Sequence, residues 1–523
     1  MDERLKTLLA DIGRAAELTP PEFNHSLRRA RWLAEAPVEQ LTEFLGDVVQ
    51  LPRPLPQQSD HLLRVALETL ATQRRAGQGV FVAPPELIAA TGSAYSHLGE
   101  TSTARPQLLA WLALGRSPSE VQAVVELLVT DPPQQEGSLI PLLSPLFRKS
   151  LPVEVVFPRL LAALEHPLLA APVLDLANFV TREKLLATHP ASERRQELNA
   201  LLGDLAQTLG QIEENPLGHA ESPAELSQRV ASSVSLAVSL CDALGLIGDE
   251  SAIGKLHQTM RLKHRRLRTE AAAALARLKD PEGIEELKRM AAEPVARLRA
   301  LSYAKELGAL NKIDPQYTTP VARAEAELVA WLAEPTQFGV PPTSCELVDQ
   351  RRQFWPGYPE PVDCFLFRFS YEFAVGDEGP RTFSNVGIVG PLVHAFTADV
   401  ADLPPQDIYA AYAGWQAEHD EIREYDVARL SKSEQLEVVR LQRRLHDAGY
   451  TEIQPQQMGY FFGEKALMAI ARRGDVPGVA VADFQEILFF PQANLRRSLG
   501  VREAYCIYKG RKLLRTFNTE KQP

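Results

Sequence analysis

ALGLIGDESAIGKL, residues 243 to 256, lies over ALARLKDPEGIEEL, residues 274 to 287, at an offset of 31 residues. Ala, Leu, Asp, Ile and Leu recur at matching positions. The tripeptide Arg-Leu-Arg at 266 to 268 returns at 297 to 299, again 31 residues on. A period of that size, filled with helix formers, marks an array of helical repeats. Within one period Leu267, Ala271, Ala274, Leu275 and Leu278 fall at helical spacing, and the alanines let a neighbouring helix come close. Asp280-Pro281 then starts a second helix. The aspartate can cap free amide groups, and proline at the first helical position gives up an N–H that would have had no partner. That helix carries Ile284, Leu287 and Met290 inward, runs out at Glu293-Pro294 and hands over to one holding Leu298, Leu301, Ala304 and Leu307. One such pair cannot bury its apolar face alone, whereas stacked pairs share a continuous core.

The Ala-rich helix after an Arg-bearing turn (Leu267 to Leu278) and the Gly248-Asp249 and Lys279-Asp280 turns resemble the HEAT repeat family. The likeness is to its short bacterial form, found also in phycobilisome lyase-like proteins, and covers about residues 226 to 310. It implies an α-solenoid. For activity it implies little, since this repeat serves scaffolds, adaptors and a few enzymes. The C-terminal part of the chain carries no family motif.

The expected fold is therefore mainly α: a HEAT-like solenoid followed by a smaller α+β domain. Four regions are expected. Residues 1–106 form an irregular helical cap, 107–335 the repeats, 336–361 a Pro- and aromatic-rich connector, and 362–523 the α+β domain. At 523 residues one ordinary core is too little. The N-terminus, MDERLKTLLADIGRAAEL, reads as an amphipathic helix and not as a secretory signal. Ser117-Pro118-Ser119-Glu120 supplies a capping box before a helix over 121–129. A similar segment, 153–164, is closed by His166-Pro167. Glu213 to Pro223 (EENPLGHAESP) reads as a polar insertion.

Beyond the connector the period changes. Phe365, Phe367, Phe369, Tyr371 and Phe373 alternate with Leu366, Arg368, Ser370 and Glu372, the pattern of a half-buried strand. A second strand is expected over 383–389. Helices are expected over 404–424, over 432–448 behind the box Ser431 and Glu434, and over 463–472. A strand is expected over 479–490 and a hairpin over 504–517, turning near Lys509-Gly510.

A net charge of -11 gives no general attraction to nucleic acid or to an anionic membrane. The least polar run, Val230 to Cys241, is twelve residues long. That is short of the roughly 20 needed to span a bilayer, so no membrane insertion is expected. Four dispersed cysteines, Cys241, Cys345, Cys364 and Cys506, form no CxxC pair. They read as reduced, mostly buried thiols of a cytoplasmic protein, with no sequence case for zinc.

The candidate partner site is the basic turn of Arg261, Lys263, Arg265, Arg266 and Arg268. Its bland counterpart is a solvated turn compensated by acids such as Glu270 and Glu285. A DNA-glycosylase use of the array would need cations spread along one groove, and they concentrate in one turn. Asn385 to Pro391 carries two glycines but neither a P-loop nor a dinucleotide fingerprint, and reads as a strand end. Glu418, His419, Asp420 and Glu421 are expected together on one helix with His394 upstream, but His419 has no second histidine at helical spacing to start a metal site. The last 28 residues hold eight Lys or Arg against two acids. These suit either an RNA or acidic-partner surface or an outer strand guarded by charge. No catalytic residue, cofactor or metal is expected. The favoured function is a non-enzymatic protein-interaction scaffold whose α+β module adds a second binding site. The alternative is an enzyme or enzyme subunit, for example one modifying a partner protein in lyase-like fashion, with its chemistry in the C-terminal domain.

Overall fold

The computed structural model describes every residue except 78–80, 135–142, 217–221, 375–378, 397–399, 493–497 and 518–523. The middle of the expected 213–223 insertion lies outside these described residues. The chain is a helical solenoid followed by a smaller α+β part. It divides into two compact units, Met1–Leu287 and Lys288–Pro523.

The first unit opens with α1 (Glu3–Gly13), α2 (Pro20–Arg29), α3 (Arg31–Ala34), α4 (Val38–Val48) and α5 (Gln57–Ala76). It continues with α6 (Pro85–Leu98), α7 (Arg105–Ala113), α8 (Pro118–Thr130), α9 (Val153–Val156) and α10 (Ala170–Arg182). Then come α11 (Arg195–Glu214), α12 (Pro223–Ile247), α13 (Ile253–Met260), α14 (Arg265–Arg277) and α15 (Pro281–Ala292), within which the unit boundary falls. Helices touch both the next in line and the next but one: α4 meets α6, α5 meets α7, α10 meets α12, and α12 meets α14. Two stacked layers of helices produce that pattern.

Local chemistry explains the ends. Leu5, Leu8 and Ile12 are buried on α1, as its amphipathic pattern predicts. Ser117 and Glu120 form the expected capping box of α8. The 153–164 segment is not one helix: α9 stops at Val156, Pro158 follows, and a 3-10 turn takes over from Arg159 to Glu165. A proline there cannot supply the N–H that a continuing helix requires. The period of 31 appears in backbone angles as well. Gly248 and Lys279, equivalent positions, both have positive φ, +79° and +66°. The following Asp249 and Asp280 amides donate back to Leu244 and Leu275 carbonyls, at 3.3 and 2.9 Å. This is the left-handed helix stop that satisfies the last carbonyls.

One expectation about membranes needs correction. α12 runs 25 residues with a mean hydropathy of 1.8 over its least polar 18-residue window, so by length and composition it could cross a bilayer. Closing the apolar run at Asp242 underestimated it, because Ala243 to Ile247 continue the apolar helix beyond that one charge. Half of that window is buried, with α10, α11 and α14 packed against the helix. A Cβ on Gly245 would lie 2.9 Å from the Ala274 Cα, so the α12–α14 contact is backbone-close. Asp242 on α12 is ion-paired to Arg182 and Arg277.

Between α10 and α12 lies a buried polar chain. The Ala191 N–H donates to His189 Nδ1 (3.2 Å), which leaves the proton on Nε2 to donate to Asn178 Oδ1 (3.0 Å). Asn178 Nδ2 in turn donates to the Ser239 carbonyl (3.1 Å). Burial holds the His189 pKa down at about 4, against an ordinary 6.5. The unfolded chain therefore takes up a proton near pH 6.5 that the folded one refuses. Stability is full above that value and falls as the pH drops toward 4, by roughly 2–3 kcal/mol at the lower end. Urea titrations between pH 7 and 5 should show this decline. His189→Gln should flatten it, and an equal slope in both proteins would remove His189 as its source.

The second unit holds α16 (Pro294–Glu306), α17 (Pro320–Leu332) and two antiparallel sheets. The first sheet has the order β1 (Ser344–Gln353), β2 (Val362–Ala374), β3 (Pro380–Val389), β4 (His394–Ala395). After α18 (Pro405–Gln416) comes the second, a meander of β5 (Ile422–Asp426), β6 (Tyr450–Phe461), β7 (Glu464–Arg473), β8 (Val476–Ala482) and β9 (Ile487–Pro491). α19 (Lys432–Asp447) is inserted after β5, and α20 (Val501–Lys512) closes the unit. The alternation in β2 is realised: Phe365, Phe367, Phe369 and Tyr371 pack on Leu328 and Leu332 of α17, while Leu366 faces α18. α18 and α20 lie between the two sheets, and α19 covers the far face of the second. Four buried tyrosine hydroxyls of this central layer are tied to its surroundings. Tyr409 donates to the Cys364 carbonyl, Tyr412 to that of Val386, Tyr505 to that of Tyr460, and Tyr508 to Asp483.

Several expected elements are replaced. The connector contains β1, paired with β2, and Trp355 is fully buried with its indole N–H on Gln416 (2.7 Å). The helix expected over 404–424 ends at Gln416, and residues 422–426 are β5. The helix expected over 463–472 is β7, paired on both sides. The single strand over 479–490 is a hairpin of β8 and β9. The C-terminal hairpin is helix α20. In contrast, α19 keeps its expected box of Ser431 and Glu434, and Gly449 stops it at φ +85°.

Candidate partner-binding edge of the repeat

The basic turn joins α13 to α14. Leu262 and Leu267 are buried on either side and anchor it, while Arg261, Lys263, Arg265 and Arg266 are exposed. The Lys263 backbone N–H donates to both carboxylate oxygens of Glu213 at 2.8 and 3.0 Å, fastening the turn to the last residues of α11. Arg268 is half-buried, and its Nε and Nη2 both donate to Glu286 Oε1, at 3.0 and 2.5 Å. Four of the five cations thus stand at the surface, and the fifth ties α14 to α15. The acids that meet the turn in these contacts are Glu213 and Glu286.

The start of α14 is unfavourable by the chemistry of helix ends. Its N-cap residue, His264, makes no side-chain cap bond, and the first turn contains no acid. Arg265 and Arg266 instead occupy the first two helical positions, beside the partial positive charge of the helix dipole. Each cation so placed costs roughly 0.3–1 kcal/mol in exposed settings. A bound anionic group on this edge would offset that cost.

The other sequence candidates fall away for identifiable reasons. Glu418 to Glu421 lie after the end of α18 and not on a helix, and the His419 ring packs on Phe462 with centroids 4.8 Å apart. Among the described residues no group of three or more His, Cys, Asp or Glu is placed to hold a metal. The glycines of 385–391 serve packing. A Cβ on Gly387 would lie 2.8 Å from Leu328, and one on Gly390 2.0 Å from the Asp363 carbonyl oxygen. Among the described residues the C-terminal cations lie on or just after helix α20 and not on an outer strand; Arg502 and Arg515 are exposed, and three others are paired. Lys509 faces Glu424 (3.7 Å), Arg511 pairs with Asp407 (2.5 Å), and Lys512 pairs with Asp483 (2.6 Å) and with Glu464.

Two concave sites had no sequence signal. A groove of about 490 Å³ in the first unit is lined by Leu41, Leu70, Arg74, Phe81 and Trp111. Its guanidinium is already committed to Glu120 and to the Trp111 carbonyl, and lies 4.4 Å from the Trp111 ring. A pocket of about 510 Å³ in the second unit is lined by Glu421, Arg423, Tyr425, Arg429, Glu434 and Tyr460. Only the alternation of Ile422 to Asp426, had it been read as a strand, would have pointed to it.

No curated protein and no solved structure matches the chain. One family model does, that of HEAT repeats, over residues 224–307. That stretch runs from α12 into α16 and includes the basic turn, and it is a segment of HEAT repeats.

Proposed function

We propose that this protein is a non-enzymatic interaction scaffold or adaptor of the cytoplasm, and that its HEAT segment holds an acidic stretch of a partner protein. HEAT repeats generally act as protein-interaction scaffolds. The observation that carries the finer reading is the uncapped start of α14, where Arg265 and Arg266 stand exposed at helix positions that disfavour cations. On this reading residues 1–106 cap the array, 107–335 present its surface, and 362–523, with β1 contributed by 336–361, add a second binding module. An enzymatic reading would draw on the buried Asp483 and Tyr508 and the half-buried Lys512. Each oxygen of Asp483 is already engaged, Oδ1 by the Gln485 and Glu486 amides and Oδ2 by Tyr508 and Lys512, which suits a structural tie.

The test is the double reversal R265E/R266E. Placing acids in the first turn of α14 removes an unfavourable dipole contact and gives up the contacts of the exposed Arg265, so stability should stay within about 1 kcal/mol of wild type. Partner capture by the full chain should fall at least tenfold at low salt, and wild-type capture should weaken with salt, as contacts between exposed charges do. Undiminished capture by a folded double variant would reduce the cluster to a solvated turn.

A further inference from the structure

The pocket of about 510 Å³ in the second unit lies where the first turn of α19 stops short of the edge strand β5. Its size is within the roughly 300–1,000 Å³ range of small-ligand sites. Arg423 and Tyr425 are exposed on one face of β5, and Arg423 is the cross-strand partner of Tyr460 on β6. Arg429 comes from the 3-10 turn that leads into α19, and buried Leu430 also lines the cleft.

The two guanidinium groups are available. Arg423 Nε donates to the Asp420 carbonyl at 2.7 Å, which orients the group and leaves its two terminal nitrogens for a ligand. Among the described residues, neither Arg423 nor Arg429 forms an ion pair. Two carboxylates line the cleft, the exposed Glu421 and Glu434, and Glu434 is already engaged. Its Oε2 accepts the Ser431 N–H (2.9 Å) and Oγ (2.7 Å), and its Oε1 accepts the Tyr460 hydroxyl (2.8 Å). The start of α19 adds the positive end of a 16-residue helix. Tyr425 meets Tyr460 edge-on, centroids 5.6 Å apart and planes at 82°, and is 42% exposed, so a ring face is open beside the cations.

Planar guanidinium forks match phosphate oxygens, and an exposed tyrosine face stacks on a planar ring. We propose that this pocket binds a small ligand joining a planar ring to a phosphate, of nucleoside monophosphate size. Arg423 and Arg429 hold the phosphate and Tyr425 the ring. The site belongs to the second unit and does not depend on the reading of the HEAT segment.

Calorimetric titration of the full chain with AMP, GMP, adenosine and inorganic phosphate tests it. A nucleoside monophosphate should bind at least tenfold more tightly than either adenosine or phosphate. R423Q/R429Q should lose at least tenfold in nucleotide affinity, and R429Q, a single change in an exposed turn, should lose a smaller part. Y425A should lose roughly 5- to 150-fold for the nucleotide, the range of one base stack, and nothing for phosphate. Circular dichroism checks that each variant is folded. Absence of nucleotide heat at about 1 mM ligand, which corresponds to about 4 kcal/mol of binding, overturns the proposal. So does inorganic phosphate binding as tightly as AMP, or unchanged binding by the folded R423Q/R429Q variant.

Discussion

Replacing Gly510 with valine should abolish the cooperative unfolding transition of the second unit. A Cβ at this position would lie 1.7 Å from the Ala410 carbonyl oxygen and 2.5 Å from its carbon. On the facing helix a Cβ on Gly414 would lie 1.9 Å from the Cys506 carbonyl oxygen. Both obstacles are backbone, so no side chain can swing away. The two helices would have to part by more than an ångström, and they are the layer between the sheets. Tyr409, Tyr412, Tyr505 and Tyr508 would lose their fit together. Ordinary overpacking costs roughly 1–3 kcal/mol, and this case should exceed about 4 kcal/mol, a large part of the 5–15 kcal/mol that holds a domain. Near-UV circular dichroism and urea unfolding of the full chain measure it. Gly92→Ala is the contrast: nothing lies within 4 Å of a Cβ there, and the site is inside α6. Relief of glycine's entropy should then stabilise by roughly 0.5–1 kcal/mol. A mild effect of valine at 510 would show that α18 and α20 do not meet through their backbones.

The second large effect is expected at Arg297, which is 3% exposed. Its Nε donates to the Ala291 carbonyl (2.8 Å) and its Nη2 to that of Ala292 (3.3 Å), at the end of α15. Its Nη1 donates to the Ala322 carbonyl (2.7 Å) and to Glu325 (2.5 Å) on α17. One side chain thus closes a helix end and neutralises an acid on another helix. Arg297→Ala should cost about 3–5 kcal/mol, because it strands a partly buried carboxylate and helix-end carbonyls together. Arg297→Lys keeps the charge but not the fork, and should recover only part of the loss. A denaturation midpoint within error of wild type for the alanine variant would contradict this role.

Arg297 also shows where sequence reading stops. The tripeptide Arg-Leu-Arg occurs at 266–268 and at 297–299 with the same spacing from each repeat turn, yet Arg266 is exposed and Arg297 is buried. The motif sets the helix phase. What covers it depends on α17, more than twenty residues further on. The repeat itself was legible because backbone and sequence repeat together, down to the left-handed stop before Asp249 and Asp280. β2 was legible because its aromatic residues alternate. β7 was not: EKALMAIARR is made of helix formers, and pairing to β6 and β8 overrides that preference. Lys509-Gly510 looked like a turn because glycine's conformational freedom is its commonest use. Here it serves close helix packing, and only a partner glycine on α18 gives that away. β1 was hidden because a polar edge strand with a bulge between Leu347 and Asp349 has no clean alternation. At the candidate site the clustering of cations was visible, but the commitment of Arg268 to Glu286 was not, since it depends on how α15 folds back.

Hydrogen exchange of the full chain with and without its captured partner tests most directly whether the HEAT segment is the binding element. Slowed exchange should concentrate on the end of α13, the turn 261–264 and the first turns of α14, and should vanish for R265E/R266E. Slowed exchange confined to β5 and α19, or absent from residues 224–307 altogether, would contradict the scaffold reading and place the partner on the C-terminal module.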